Sequence, residues 1–143
     1  MLKAELKSKS KLTEQTLIIV KPDAVKRNLV GNILARFEKK GFVISKLKMF
    51  NFTTEMAEQF YSVHNSKPFF GELVSFITSG KVVVAMIEGD NVINITREII
   101  GKTKPQEASP GTIRGDFGIG ILENSIHASD SRESFDKEVN VIF

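Results

Sequence analysis

Thr16-Leu17-Ile18-Ile19-Val20-Lys21-Pro22 is a short apolar run closed by a proline, the pattern of a buried central strand. Downstream, Val30, Ile33, Leu34 and Phe37 recur at helical spacing, which predicts a helix over about residues 29–40 closed by Gly41. Residues 42–50 read as a second strand, with Lys46 and Lys48 alternating with Leu47 and Met49. Thr53 or Thr54 can cap a helix carrying Met56, Phe60 and Tyr61, and a second short helix is expected from Pro68 to about Thr78. The run around Val82-Val83-Val84-Ala85-Met86 predicts a third strand buried on both faces, and Asp90 is placed to cap the helix that ends at Gly101. A short strand near His127 and a helix over about residues 131–139 close the chain. The order β-α-β-(αα)-β-α-β-α predicts an α+β fold. It is a ferredoxin-like split β-α-β, a four-stranded antiparallel sheet with helices on one face.

The bulk composition narrows the function. The chain has 143 residues, 41% hydrophobic and 26% charged, as expected for one globular domain. It contains no cysteine, so disulfides and thiolate metal sites are excluded. That absence and the lack of an apolar leader or span predict a cytoplasmic protein with no membrane partner. The sequence pI near 9.2 suggests nucleic acid, but the basicity is local. Residues 1–11 hold Lys3, Lys7, Lys9 and Lys11 against Glu5, and the remainder carries 16 basic and 16 acidic residues. Residues 1–13 are therefore expected to form a flexible basic tail, and residues 14–143 a single domain. An RNA-recognition module would need a strand of alternating aromatic and basic residues, and the eleven Phe and one Tyr form none, so specific nucleic-acid binding is not expected.

Three short matches carry no chemistry. Gly101-Lys102-Thr103 copies the end of a P-loop but follows a predicted helix instead of starting one, and Thr96 stands where its first glycine is required. Asp116-Phe117-Gly118 copies a protein-kinase triplet without the accompanying catalytic loop. Gly115, Gly118 and Gly120 have the wrong context for a dinucleotide fingerprint.

Any imidazole chemistry falls on His64 or His127. His64 is expected at a helix end, where a histidine is favoured electrostatically. His127 lies in Asn124-Ser125-Ile126-His127-Ala128-Ser129-Asp130-Ser131, just before a helix that Asp130 can cap with Glu133. Such a helix start attracts anions. Glu138, two turns further on, can hold one ring nitrogen and leave the other free as a nucleophile. From these residues alone a catalytic imidazole and a satisfied strand histidine both stand.

The segment resembles the signature Asn-x-x-His-Gly/Ala-Ser-Asp of nucleoside diphosphate kinases. Ile19-Val20-Lys21-Pro22-Asp23, Arg36-Phe37-Glu38 with Gly41-Phe42, Lys67-Pro68-Phe69-Phe70, and Pro110-Gly111-Thr112-Ile113-Arg114-Gly115-Asp116-Phe117 are similar to further blocks of that family. The resemblance implies a γ-phosphate transferase acting from ATP to nucleoside diphosphates by a ping-pong route through phosphorylated His127. It implies that Lys21 and Asn124 bind the ribose, that Arg97, Thr103 and Arg114 hold phosphates, and that Phe69, Leu73 and Ile121 contact the base. Tyr61 is placed beside His127, and Ser129 with Glu138 orients the ring. Without the resemblance, Phe69 and Leu73 would read as core, and Arg97 and Arg114 as surface salt bridges. It further implies Mg²⁺ held mainly by substrate phosphates, with no protein metal ligands, and a homo-oligomer, tetramer or hexamer. The alternative of an inactive relative is opposed by intact His127, Lys21, Arg97, Arg114 and Asn124. Lys81, Lys104 and Ala128 depart from the family pattern, and alanine at 128 is expected to restrict the backbone beside His127.

Overall fold

A computed structural model describes residues 13–143. Four strands, β1 (Thr13–Val20), β2 (Val43–Phe50), β3 (Val82–Asp90) and β4 (Ile126–Ala128), form one sheet in the order β2-β3-β1-β4. Every pairing is antiparallel. The helices are α1 (Pro22–Lys26), α2 (Val30–Lys39), α3 (Thr54–Phe60), α4 (Phe70–Ile77), α5 (Val92–Ile100), α6 (Ile113–Phe117) and α7 (Arg132–Ile142). Short 3-10 turns occupy Ser62–His64 and Pro105–Glu107. This is the expected ferredoxin-like architecture, with its two central strands supplied by the two continuous apolar runs.

Helices cover both faces of the sheet, correcting the expectation of one. Ile18 and Val20 of β1 pack with Ile33, Phe37, Val92 and Ile100 on one side. Leu17 and Ile19 pack with Ala57, Phe60, Ile77 and Phe135 on the other. A strand buried on both faces has no polar side to present, which is why β1 and β3 lack alternation. Each fully buried Ile or Phe contributes roughly 1.5–3 kcal/mol through burial.

Local details also differ. Pro22 ends β1 and also opens α1, a helix too short to show periodicity in the sequence. Asn28, at φ 60°, ends it. The cap before α5 is Asn91, in the left-handed region, because β3 runs through Asp90. Before α7 the cap is Ser131, whose hydroxyl accepts from the Ser134 N–H, while Asp130 accepts from the Ser134 hydroxyl. Helix α4 starts at Phe70, so Pro68 lies ahead of it, not in its first turn. Thr53 caps α3 as expected. Thr13, placed by sequence in the tail, begins β1; the rest of that tail lies outside the described residues.

Candidate active site

The site lies where β1 and β4 end side by side. Strand β1 delivers Lys21 just past its last residue, and the Lys21 N–H donates to the Ser125 carbonyl at 3.0 Å. The chain then enters β4 through Ser125 at φ 78°, a conformation costly for a residue with a side chain and common at functional sites. The register Ile19↔His127 sets the imidazole on the same face as Ile19, toward α3 and α7.

Lys21 Nζ donates to Asn124 Oδ1 at 2.9 Å, and Asn124 Nδ2 donates to the Thr103 carbonyl at 3.3 Å. Both side chains are buried. Arg114 enters from α6, donating to the Ile126 carbonyl at 2.8 Å and the Gly101 carbonyl at 3.2 Å. Its Nε is buried without a partner. Glycine is required at 101: φ is +89°, and a Cβ would lie 2.6 Å from the Thr112 hydroxyl that caps α6. Arg97, exposed on α5, reaches the Ala128 carbonyl at 3.4 Å. Among the described residues no salt bridge involves Lys21, Arg97 or Arg114.

The electrostatics follow from this crowding. Burial, then the charge of Arg114, pulls the Lys21 ammonium down to about 8, with Asp23 opposing. Burial and the neighbouring Arg97 lower the Arg114 guanidinium to about 10. Buried cations held by carbonyls and an amide, with no salt bridge among the described residues, suit a polyanion.

His127 Nε2 lies 2.9 Å from Glu138 Oε1, an oxygen that also accepts from the Ser129 hydroxyl at 2.8 Å. Glu138 is an acceptor only, so Nε2 carries the hydrogen of this bond. Nδ1 makes no hydrogen bond and is not buried, and the ring borders the cavity. Ala128 beside it is not in the left-handed region, so alanine there is unstrained. The ring packed edge-on against His127 is Phe60, centroids 5.1 Å apart, with Tyr61 in turn edge-on to Phe60 at 5.0 Å. Burial, and next the charge of Glu138, push the Tyr61 phenol up, so it stays protonated.

A cavity of about 690 Å³ joins these groups. It is lined by Lys21, Tyr61, Phe69, Leu73, Arg97, Thr103, Arg114, Ile121, Asn124, His127 and Glu138; Ser129 stands behind Glu138. Phe69 and Ile121 are 43% and 61% exposed, apolar surface at the rim. A neighbouring cleft of about 610 Å³, between the end of α3 and α7, shares Phe60 and Glu138 but none of the three converging cations.

Phe60 and His64 line the main cavity without having been predicted there. His64 packs against Phe69, centroids 5.7 Å apart, and burial with the charge of Lys67 disfavours its protonated form. His64 does close a helical turn, Ser62–His64, as expected. The available signal was position: His64 follows Tyr61 by three residues, one turn of a helical segment.

A family model for nucleoside diphosphate kinase matches residues 14–143. The chain belongs to the nucleoside diphosphate kinase family. It is 55% identical over 130 residues to the nucleoside diphosphate kinase of Exiguobacterium sibiricum, covering 91% of this chain and 94% of that one. It is 50% identical over 132 residues to the Methanocaldococcus jannaschii enzyme, covering 92% and 94%. Among solved structures, the Aquifex aeolicus nucleoside diphosphate kinase superposes with a TM-score of 0.88 at 51% identity, covering 92% of this chain and 95% of that one. As a nucleoside diphosphate kinase, the protein is a transferase that binds nucleotides and moves phosphate from nucleoside triphosphates to nucleoside diphosphates.

Proposed function

We propose that His127 Nδ1 is the nucleophile, and that the reaction is a ping-pong exchange through a phosphohistidine. The observation that carries this reading is the ring's asymmetry. Nε2 is tied to Glu138, and Nδ1 is free in a cavity also lined by Lys21, Arg97 and Arg114, none of which forms a salt bridge among the described residues. Nδ1 attacks the γ-phosphorus in line, the bond to the β–γ bridging oxygen breaks, and nucleoside diphosphate leaves. A second diphosphate then takes the phosphoryl group by the reverse path. Glu138 stabilises the positive charge that develops on the ring, and Ser129 fixes Glu138.

Arg97, Thr103 and Arg114 hold the phosphates, whose three equatorial oxygens gather charge in the transition state. Lys21 and Asn124 bind the ribose hydroxyls. Phe69 stacks on the base between Leu73 and Ile121; every base has a π-face, so this contact tolerates any of them. Tyr61 closes the wall beside His127 and Phe60. A histidine carrier suits the task. The bonds broken and formed at the nucleotides are both phosphoanhydrides, and a phosphohistidine keeps enough transfer potential for the return step, whereas a serine ester would not.

The nucleotide's phosphate oxygens would hold magnesium, which would offset their charge. Glu138, the carboxylate nearest the reacting ring, is already engaged by two donors. We also propose a cytoplasmic homo-oligomer, tetramer or hexamer. Supporting association, edge strand β2 exposes Val43, Leu47 and Met49 at 55–59%. Among the described residues no helix is long and apolar enough to cross a membrane.

The test is a chase. The protein is incubated with γ-labelled ATP and magnesium, stripped of nucleotide and mixed with unlabelled GDP. Label should appear on protein first and then on GTP; transfer only when both nucleotides are present together would refute the covalent route.

A further inference from the structure

Asp23 is a titratable group that the mechanism above leaves unused. It is the second residue of α1, and both its carboxylate oxygens are buried without a hydrogen-bond partner. The N–H groups of Asp23, Ser125 and Ala24 face the carboxylate without completing bonds. Among the described residues, the charged side chain acting on it is that of Lys21. Lys21 in turn is faced by Arg114 from α6, by Asp23 from α1, and by the neutral amide of Asn124. Removing a carboxylate from water is unfavourable unless something offsets it, and the buried ammonium two residues earlier does so.

We propose that Asp23 is a positioning residue: its carboxylate is the counter-charge that keeps Lys21 an ammonium on the floor of the nucleotide site. The assignment rests on the reading of Lys21 as a nucleotide-holding group. Of the three converging cations, Lys21 is the one able to shed its proton near neutral pH. Burial pushes it that way, and so does the charge of Arg114. A buried carboxylate outside the cavity lining restores the charge without offering the phosphates a repelling neighbour; Asp23 is not among the cavity-lining residues. Burial raises the Asp23 carboxyl above its ordinary range while Lys21 holds it down, so each member supports the charged form of the other.

The experiment is a titration of Lys21 by its ¹³Cε resonance in the intact protein, alongside the pH profile of kcat/KM. In the wild type the midpoint should fall at about 8. In Asp23→Asn it should drop by about one unit. At pH 7.5 the ammonium fraction would then fall from about three-quarters to about one-quarter, and the alkaline limb of the profile should shift equally. Asp23→Glu should bring both back toward the wild type. An unmoved Lys21 midpoint in folded Asp23→Asn overturns the pairing. If the midpoint moves and the kinetic limb does not, the pairing stands and the role of Lys21 at the nucleotide is overturned. Should Asp23→Asn fail to fold, Lys21→Met gives the reciprocal reading: the Asp23 carboxyl midpoint should rise, and a constant value overturns the proposal.

Discussion

The floor and the rim of the cavity invert the usual placement of side chains. On the floor, Lys21, Arg114 and Asn124 are 7%, 4% and 2% exposed. At the rim, Phe69 and Ile121 are 43% and 61% exposed. Ordinary folding would do the reverse, since buried charge and exposed hydrocarbon both cost free energy. A bound nucleotide would relieve both costs, with its phosphates and ribose on the floor and its aromatic base at the rim. Floor and rim are thus suited to separate steps. The floor is preorganised by backbone carbonyls and should govern the chemical step; the rim is exposed and should govern capture.

The comparison can be tested by removing its parts in turn. His127→Ala, at the floor's edge, should lower turnover by about 10⁴-fold or more, with little change in nucleotide affinity measured by equilibrium binding. Arg114→Ala should lower kcat by about 10²–10³-fold, the loss expected when one transition-state donor is deleted. Phe69→Ala should raise KM by about tenfold and leave kcat nearly unchanged, as loss of one stacking contact predicts. If Phe69→Ala instead depressed kcat as strongly as Arg114→Ala, the division between floor and rim would fail. Ile121→Ala should be the mildest, about a two- to threefold rise in KM.

Stability gives the same comparison a different sign. Lys21 titrates at about 8 in the fold against 10.5 when unperturbed. Between those values the unfolded chain binds more protons, so the Lys21 penalty is fully present below pH 8 and vanishes by pH 10.5. Lys21→Met should therefore stabilise the protein at pH 7, by up to about 3 kcal/mol in urea denaturation, while impairing catalysis. The gain should disappear at pH 10.5. Phe69→Ala should leave stability almost unaltered at both pH values.

Much of the fold was legible because β1 and β3 are buried on both faces, and that burial writes continuous apolar runs into Leu17–Val20 and Val82–Ile87. Helices α2 and α5 were legible from their periodicity and from Gly41 and Gly101 at their ends. What escaped was short or set by one hydrogen bond. Helix α1 has five residues, too few to repeat. The caps at Asn91 and Ser131 each lie one residue from the acid expected there, because strand length and the Ser134 contact decide between neighbours.

In the site, the spacing around His127 pointed to Glu138 as its partner, two turns into a helix folding back on the strand. The cations Lys21, Arg97 and Arg114 are far apart in sequence, and only the motif resemblance connected them. Phe60 escaped because its edge contact with His127 joins positions far apart in the sequence, and His64 because its contact with Phe69 depends on the turn between them.

The proposed chemistry turns on one ring atom, and NMR can identify the nitrogen that carries phosphate. The protein, uniformly ¹⁵N-labelled, is phosphorylated with ATP and magnesium, freed of nucleotide and examined by ³¹P and ¹⁵N NMR. With Nε2 held by Glu138, phosphorus should couple to Nδ1 of His127. Phosphate on Nε2, or on a serine, would contradict the account.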